Sequence, residues 1–136
     1  MNKKLICVHK WLAVGVPLAI LSLFIPACGG PRRAGPVDLN KAHAALATVL
    51  TNWKQGIDYA DLDRKLPEIT VQDFDWQSGL QLIDFETLGN DRRDDANLHC
   101  PVRLKLRDSA GNEMEKRVTY VIGTSPVITV FREMMM

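Results

Sequence analysis

The cysteine and histidine side chains are the groups in this sequence best suited to nucleophilic, acid–base or metal chemistry. The chain has three of each, and His99 and Cys100 are adjacent. Apolar and polar residues alternate through residues 96–107, which predicts a strand with one face exposed to solvent. Because neighbouring strand residues point to opposite faces, His99 cannot act as a base for Cys100. Cys100 falls on the apolar side, so we interpret it as a buried structural thiol, with a Cys100-dependent enzyme as an alternative.

Other candidate sites lack the spacing that their chemistry needs. His43 has no second ligand four residues away, and we interpret it as a residue at the edge of the apolar stripe of a helix rather than as a metal ligand. The acidic loop at residues 89–97 lacks the regular oxygen spacing of calcium loops. Asp73 and Asp75 are expected at solvated edge positions. The sequence contains no serine-hydrolase elbow, P-loop, dinucleotide or zinc-protease motif, so we predict a protein that is not an enzyme and has no metal or cofactor.

The first 27 residues have the order of parts found in a secretory leader. Residues 1–10 are basic and free of acidic side chains, and Trp11–Ile25 is an uncharged apolar run of 15 residues. This run is shorter than the roughly 20 residues that a membrane-spanning helix needs. It leads into Ile25-Pro26-Ala27-Cys28, which resembles the lipobox of bacterial lipoproteins.

This resemblance covers residues 1–30 and implies that the signal peptide, residues 1–27, is removed and that Cys28 is lipidated. Two or three acyl chains, such as palmitate, would hold the protein firmly on a bilayer. The implied location is the cell envelope, with the domain outside the cytoplasm, on the periplasmic side. Gly29, rather than Asp, follows the cysteine, which in a cell with two membranes resembles the pattern of lipoproteins sent to the outer membrane. The alternatives are a plain cleavage site or an uncleaved signal anchor.

A flexible tether is expected between Cys28 and the folded domain. Gly29–Pro36 holds three glycines and two prolines and has no apolar period. Residues 37–132 form the predicted single domain, and residues 133–136 form a C-terminal tail. Setting aside the three lysines of the leader leaves 14 basic against 16 acidic residues, a net charge of −2. Such a domain lacks a basic stripe, so nucleic acid is not an expected partner.

Local signals predict one amphipathic helix followed by strands. Asp38 can cap a helix of about five turns, whose apolar stripe runs from Leu39 to Trp53 and which ends near Gly56. From residue 80 onward, a period of two predicts strands near residues 80–88, 96–107, 113–122 and 127–132, the first of them with a bulge. A further short strand is expected near residues 69–74.

The predicted fold class is α+β, with a long N-terminal amphipathic helix packed on a curved antiparallel meander of about four strands. This order of elements resembles cystatin-like domains and nuclear-transport-factor-like cone folds across residues 37–132. The resemblance carries no specific motif and implies no function. Trp53, Trp76, Tyr120 and Phe131 either fill the core or line a candidate ligand cavity between helix and sheet.

These patterns together predict a lipid-anchored cell-envelope protein that binds or supports an envelope protein partner without catalysis. The alternative hypothesis is a domain that binds a small apolar ligand between helix and sheet. A third hypothesis is a Cys100-dependent enzyme. An interaction module should present an exposed edge strand or an apolar patch, whereas the other two functions need a concave site.

Overall fold

A computed structural model of the chain describes residue 30 and residues 33–134. The chain divides into two units, Met1–Gly30 and Pro31–Met136, and the fold described below belongs to the second. The predicted leader and Cys28 lie outside the described residues.

Helix α1 spans Leu39–Lys54 and covers one face of the sheet. Asp38 caps it, because its side chain accepts a hydrogen bond from the Lys41 backbone N–H at 3.0 Å. With 16 residues, α1 is shorter than the long five-turn helix that was predicted. Leu39 is 39% exposed, so its assignment to the buried stripe was wrong. The residues of α1 that are buried are Ala42, Ala45, Leu46, Val49, Leu50 and Trp53.

Short helical segments connect α1 to the sheet. A 3-10 turn at Tyr59–Asp61 leads into α2, Leu62–Lys65, and α3 spans Phe74–Gln77 after the first strand. Asp73 caps α3 by accepting a hydrogen bond from the Trp76 backbone N–H at 3.0 Å. This turn places Trp76 in the core.

The sheet contains six described strands and is mixed. Its order is β1-β6-β5-β4-β2, with β3 also paired to β4. All pairings are antiparallel except that of β1 with β6, which is parallel. The strands are β1 Ile69–Gln72, β2 Gln81–Thr87, β3 Arg92–Arg93, β4 Asn97–Arg107, β5 Glu113–Gly123 and β6 Ile128–Arg132.

The α+β class is therefore established, but the four-stranded antiparallel meander was wrong. β1 joins the sheet beside β6 because this pairing extends the apolar face, with Ile69 opposite Ile128 and Val71 opposite Val130. A two-residue strand, β3, also lies within the acidic loop at residues 89–97. The predicted bulge in β2 is present as a shift in register between Leu82 and Asp84.

The core lies between α1 and the apolar face of β4 and β5. Every second residue of β4 from Leu98 to Leu106 is buried, and the facing residues of β5 from Val118 to Ile122 are buried with them. α1 packs against β2, β5 and β6 on this face. Residues between the buried ones point to the other face of the sheet.

Candidate functional site

The four predicted cavity aromatics do not share one cavity. Trp53 and Trp76 stack on each other with ring centroids 5.2 Å apart, and both are buried. Tyr120 is buried on the helix side of the sheet. Phe131 adjoins the fully buried Val130 in β6 and therefore points to the opposite face.

The two tryptophans fill the core with their polar atoms satisfied. The Trp53 indole N–H donates to the Leu80 carbonyl at 2.8 Å, and the Trp76 indole N–H donates to the Ile57 carbonyl at 2.9 Å. Tyr59 packs edge-on against Trp76 at 5.9 Å. These contacts support the core-filling interpretation of the aromatic residues.

The first half of β5 has a free edge inside the sheet, in addition to the outer edges of the terminal strands β1 and β2. β6 pairs with β5 only from Tyr120 to Gly123, although β5 begins at Glu113. The Glu133 N–H adds one more bond, to the Thr119 carbonyl at 2.8 Å. Within residues 33–134, no strand pairs with residues 113–118 on this side.

The orientation of the open backbone groups follows from the Thr119 bond. In an antiparallel strand the N–H and C=O of one residue point to the same side, and alternate residues point to opposite sides. Since Thr119 points toward β6, Glu113, Glu115 and Arg117 direct their backbone groups to the open edge. Met114, Lys116 and Val118 direct theirs to β4.

A groove of about 770 Å³ lies beside this edge, where β6 would run if it continued. Phe74 from α3 is 43% exposed and Met134 is 70% exposed, and both line the groove. Arg117 lines it as well and makes no ion pair within the described residues. The groove therefore combines unpaired strand backbone with apolar and cationic side chains. Further lining residues are Leu88, Asn90, Pro101 and Glu133.

A buried charge network fixes α3 against β5 and β6 at the wall of the groove. Asp73 is 1% exposed and accepts a hydrogen bond from the Tyr120 hydroxyl at 2.6 Å. Asp75 is bonded by Lys116 at 2.8 Å and by Arg132. The Arg132 guanidinium also lies 3.6 Å from Asp73. The expectation that both aspartates are solvated was wrong, because the sheet supplies donors from elements distant in sequence.

The network also sets the ionisation of its members. Burial opposes ionisation of Asp75, but hydrogen bonds from Lys116 and Arg132 outweigh it and hold the pKa of Asp75 below its ordinary value of 3.8. Burial, followed by the charge of Asp73, raises the pKa of Tyr120 well above 10.0. The phenol therefore remains protonated and donates to the carboxylate.

A second cluster joins α1, the loop before β3 and β4. His43 from α1 and Asp91 from the loop before β3 are linked by a 2.7 Å contact between Nε2 and Oδ2. The donor atoms of His43, Asp91 and Cys100 all lie within 4.8 Å of one another. His43 is half-exposed, as expected of a residue at the edge of the apolar stripe, and Asp91 and Cys100 are its neighbours from outside the helix. No sequence spacing indicates this cluster, since each residue comes from a different element.

The arrangement of this cluster does not favour a nucleophilic thiol. Cys100 is 1% exposed on the apolar face, as predicted. Burial, with a further contribution from the Asp91 carboxylate, raises the pKa of Cys100 to about 12. His43 bonds to the carboxylate instead of activating the sulfur. His99 points away from Cys100 and bonds Asp94 at 2.8 Å.

The aspartates of the loop before β4 do not converge as calcium ligands. Asp91 contacts His43, while Asp94 contacts His99 and accepts a hydrogen bond from the Asn97 N–H. The carboxylates of Asp91 and Asp94 therefore contact different histidines.

No helix among the described residues is both long enough and apolar enough to cross a bilayer. Comparison with known protein families, curated proteins and solved structures gave no significant match.

Proposed function

We propose that this chain is a lipid-anchored cell-envelope protein whose folded domain binds a partner protein without catalysis. The partner would supply an extended segment that pairs with the free edge of β5. The observation that carries this proposal is the open edge of residues 113–118 beside a groove of about 770 Å³.

Strand addition matches the groups on this edge. Main-chain hydrogen bonds supply affinity in this mode of recognition, and pockets for alternate side chains supply specificity. Glu115 and Arg117 direct their backbone groups outward, so an added strand has donors and acceptors to pair with. Phe74 and Met134 offer apolar surface on the groove wall. The unpaired Arg117 favours an acidic residue in the bound segment.

The anchor places the domain where such a partner would be met. The proposal takes Cys28 as the lipidated residue, since it follows a basic region, an apolar run and a lipobox-like sequence. The eight residues Gly29–Pro36, fully extended, would separate domain and bilayer by roughly 26 Å. A partner in or near the same membrane lies within that reach.

The edge can be tested first in the isolated protein by amide hydrogen exchange. We expect the backbone amides of Glu115 and Arg117 to exchange rapidly, because no group among the described residues accepts a hydrogen bond from them. The amides of Lys116 and Val118 should exchange slowly, because they point to β4. Equal protection of all four would contradict an open edge.

A partner can then be trapped in cells with a photo-crosslinking residue at position 117. The matched control is position 103, since Arg103 lies opposite Arg117 in the neighbouring strand and away from the edge. We expect a discrete crosslinked protein from position 117 alone. When purified, it should slow exchange at Glu115 and Arg117. A partner that crosslinks equally from both positions, or that leaves these amides unprotected, contradicts strand addition.

The anchor has its own test. The intact mass of the purified chain should start at Cys28 and include acyl chains, whereas Cys28→Ser should lack them. A native product that starts at another residue, or that washes off membranes without detergent, refutes lipid anchoring.

A further inference from the structure

His43, Asp91 and Cys100 together have the ligand atoms of a transition-metal site. They supply an imidazole nitrogen, a carboxylate oxygen and a sulfur from α1, a loop and β4, all within 4.8 Å. These are the three ligand types that zinc prefers. Calcium and magnesium prefer oxygen ligands alone, so this donor set disfavours them. We propose that these three residues bind one zinc-class divalent ion, with a fourth coordination position left open.

The geometry of the cluster is close to what coordination requires. A tetrahedral zinc ion with ordinary bond lengths separates its nitrogen and oxygen ligands by about 3.3 Å, and its nitrogen and sulfur ligands by about 3.6 Å. The His43 nitrogen and the Asp91 oxygen are now 2.7 Å apart, in direct contact. Insertion of an ion therefore needs shifts of about 1 Å, which side-chain rotation of the 51% exposed His43 can supply.

The charges balance on binding. Zinc binds the thiolate, so the Cys100 proton is released to solvent as the sulfur–metal bond forms. A thiolate, a carboxylate and a neutral imidazole then carry two negative charges, which neutralise a divalent ion. The sulfur is fixed in the core and the other two ligands lie toward the surface, which gives the ion a path of entry.

The open position would face a cavity of about 350 Å³ that all three residues line. Its other walls include Leu46, Ala47 and Phe85. Such apolar walls keep the local dielectric constant low and strengthen the attraction between ion and ligands. A water molecule or a small anion could occupy the fourth position. The site is separate from the β5 groove, so its test is independent of the proposed function.

The experiment is a titration of the full chain, purified in detergent, with Co²⁺ as a spectroscopic substitute for Zn²⁺. Thiolate bound to Co²⁺ gives a near-ultraviolet charge-transfer band, and tetrahedral Co²⁺ gives strong visible bands. We expect both bands to saturate at one ion per chain and to disappear when Zn²⁺ displaces Co²⁺. Zinc should also raise the thermal midpoint, because it binds only the assembled site.

Two variants assign the ligands. Cys100→Ser should remove the charge-transfer band, because Cys100 supplies the only thiolate of the proposed site. Because Cys100 is buried and its substitution can disturb folding, His43→Ala provides the second variant on an exposed position. We expect His43→Ala to weaken Co²⁺ binding at least about 10-fold.

His99→Ala is the matched control. His99 makes the same kind of contact with an aspartate, at 2.8 Å to Asp94, but on the face of the sheet opposite to Cys100. The His99→Ala variant should bind Co²⁺ with the affinity of the wild type. Absence of saturable binding by the wild type, unchanged binding by His43→Ala, or equal weakening by His99→Ala overturns the proposal.

Discussion

Replacement of Tyr120 by phenylalanine measures the strength of the buried network that fixes α3. The substitution removes one hydroxyl and leaves the ring in place. It leaves the Oδ2 atom of Asp73, which is 1% exposed, without the donor that now lies at 2.6 Å. The remaining contacts of Asp73 are the Trp76 N–H at 3.0 Å and the Arg132 guanidinium at 3.6 Å, both on its Oδ1 atom.

The expected cost is that of a hydrogen bond to a charged, buried acceptor. Such bonds contribute about 1.5–3 kcal/mol, and the loss of one partner leaves the desolvation penalty uncompensated. We therefore expect a decrease of about 2 kcal/mol in the free energy of unfolding. For a domain of this size that lowers the urea midpoint by about 1 M, with an unchanged slope.

Tyr59→Phe is the matched control, because it removes the same atom from neutral hydrogen bonds. The Tyr59 hydroxyl donates to the Val71 carbonyl at 2.7 Å, accepts from the Gln77 side-chain amide at 2.9 Å and is only partly buried. Its loss should cost about 1 kcal/mol or less. Urea unfolding followed by tryptophan fluorescence compares the two variants. If Tyr120→Phe lowers the free energy of unfolding no more than Tyr59→Phe does, the hydrogen bond to the Asp73 carboxylate gives no extra stability. That result would refute the reasoning.

Three further predictions concern the core, the acid response and a turn. Leu104→Ala should lower the unfolding free energy by about 2–5 kcal/mol, because Leu104 is fully buried, whereas Leu39→Ala on the exposed side of α1 should cost well under 1 kcal/mol in the same urea assay. The native pKa of Asp75 is depressed, so its stabilising contribution is complete above its ordinary pKa of 3.8 and disappears as the pH falls through the lower native value. The difference in unfolding free energy between wild type and Asp75→Asn should therefore shrink below pH 3.8, and a difference independent of pH would contradict the assignment. Gly111 has a φ of 88°, so Gly111→Ala should cost about 1 kcal/mol, and an unchanged thermal midpoint would contradict this.

The elements that the sequence predicted well are those specified by local signals. Asp38 and the apolar spacing after it define α1, because a cap and a 3.6-residue period act within one segment. The β4–β5 hairpin follows from strict alternation on both sides of the turn at Asp108–Asn112. The bulge in β2 was predictable because it interrupts the alternation of apolar and polar residues in that strand.

The features that the sequence did not reveal depend on distant partners. β1 pairs in parallel with β6, and no local turn marks such a pairing. Asp73 is buried only because Tyr120 comes from another strand to bond it. The cluster of His43, Asp91 and Cys100 has the same origin, since three elements meet only in the folded chain.

The parallel pairing of β1 with β6 has a consequence for the order in which the chain can fold. β6 is the last strand among residues 33–134, so β1 has no place in the sheet until β6 has been synthesised. Contacts this far apart in sequence slow folding, because a long loop must close before they form. A nascent chain would thus stay without its complete sheet until late in synthesis, and Ile69 and Val71 of β1 would lack their partners in β6 until then.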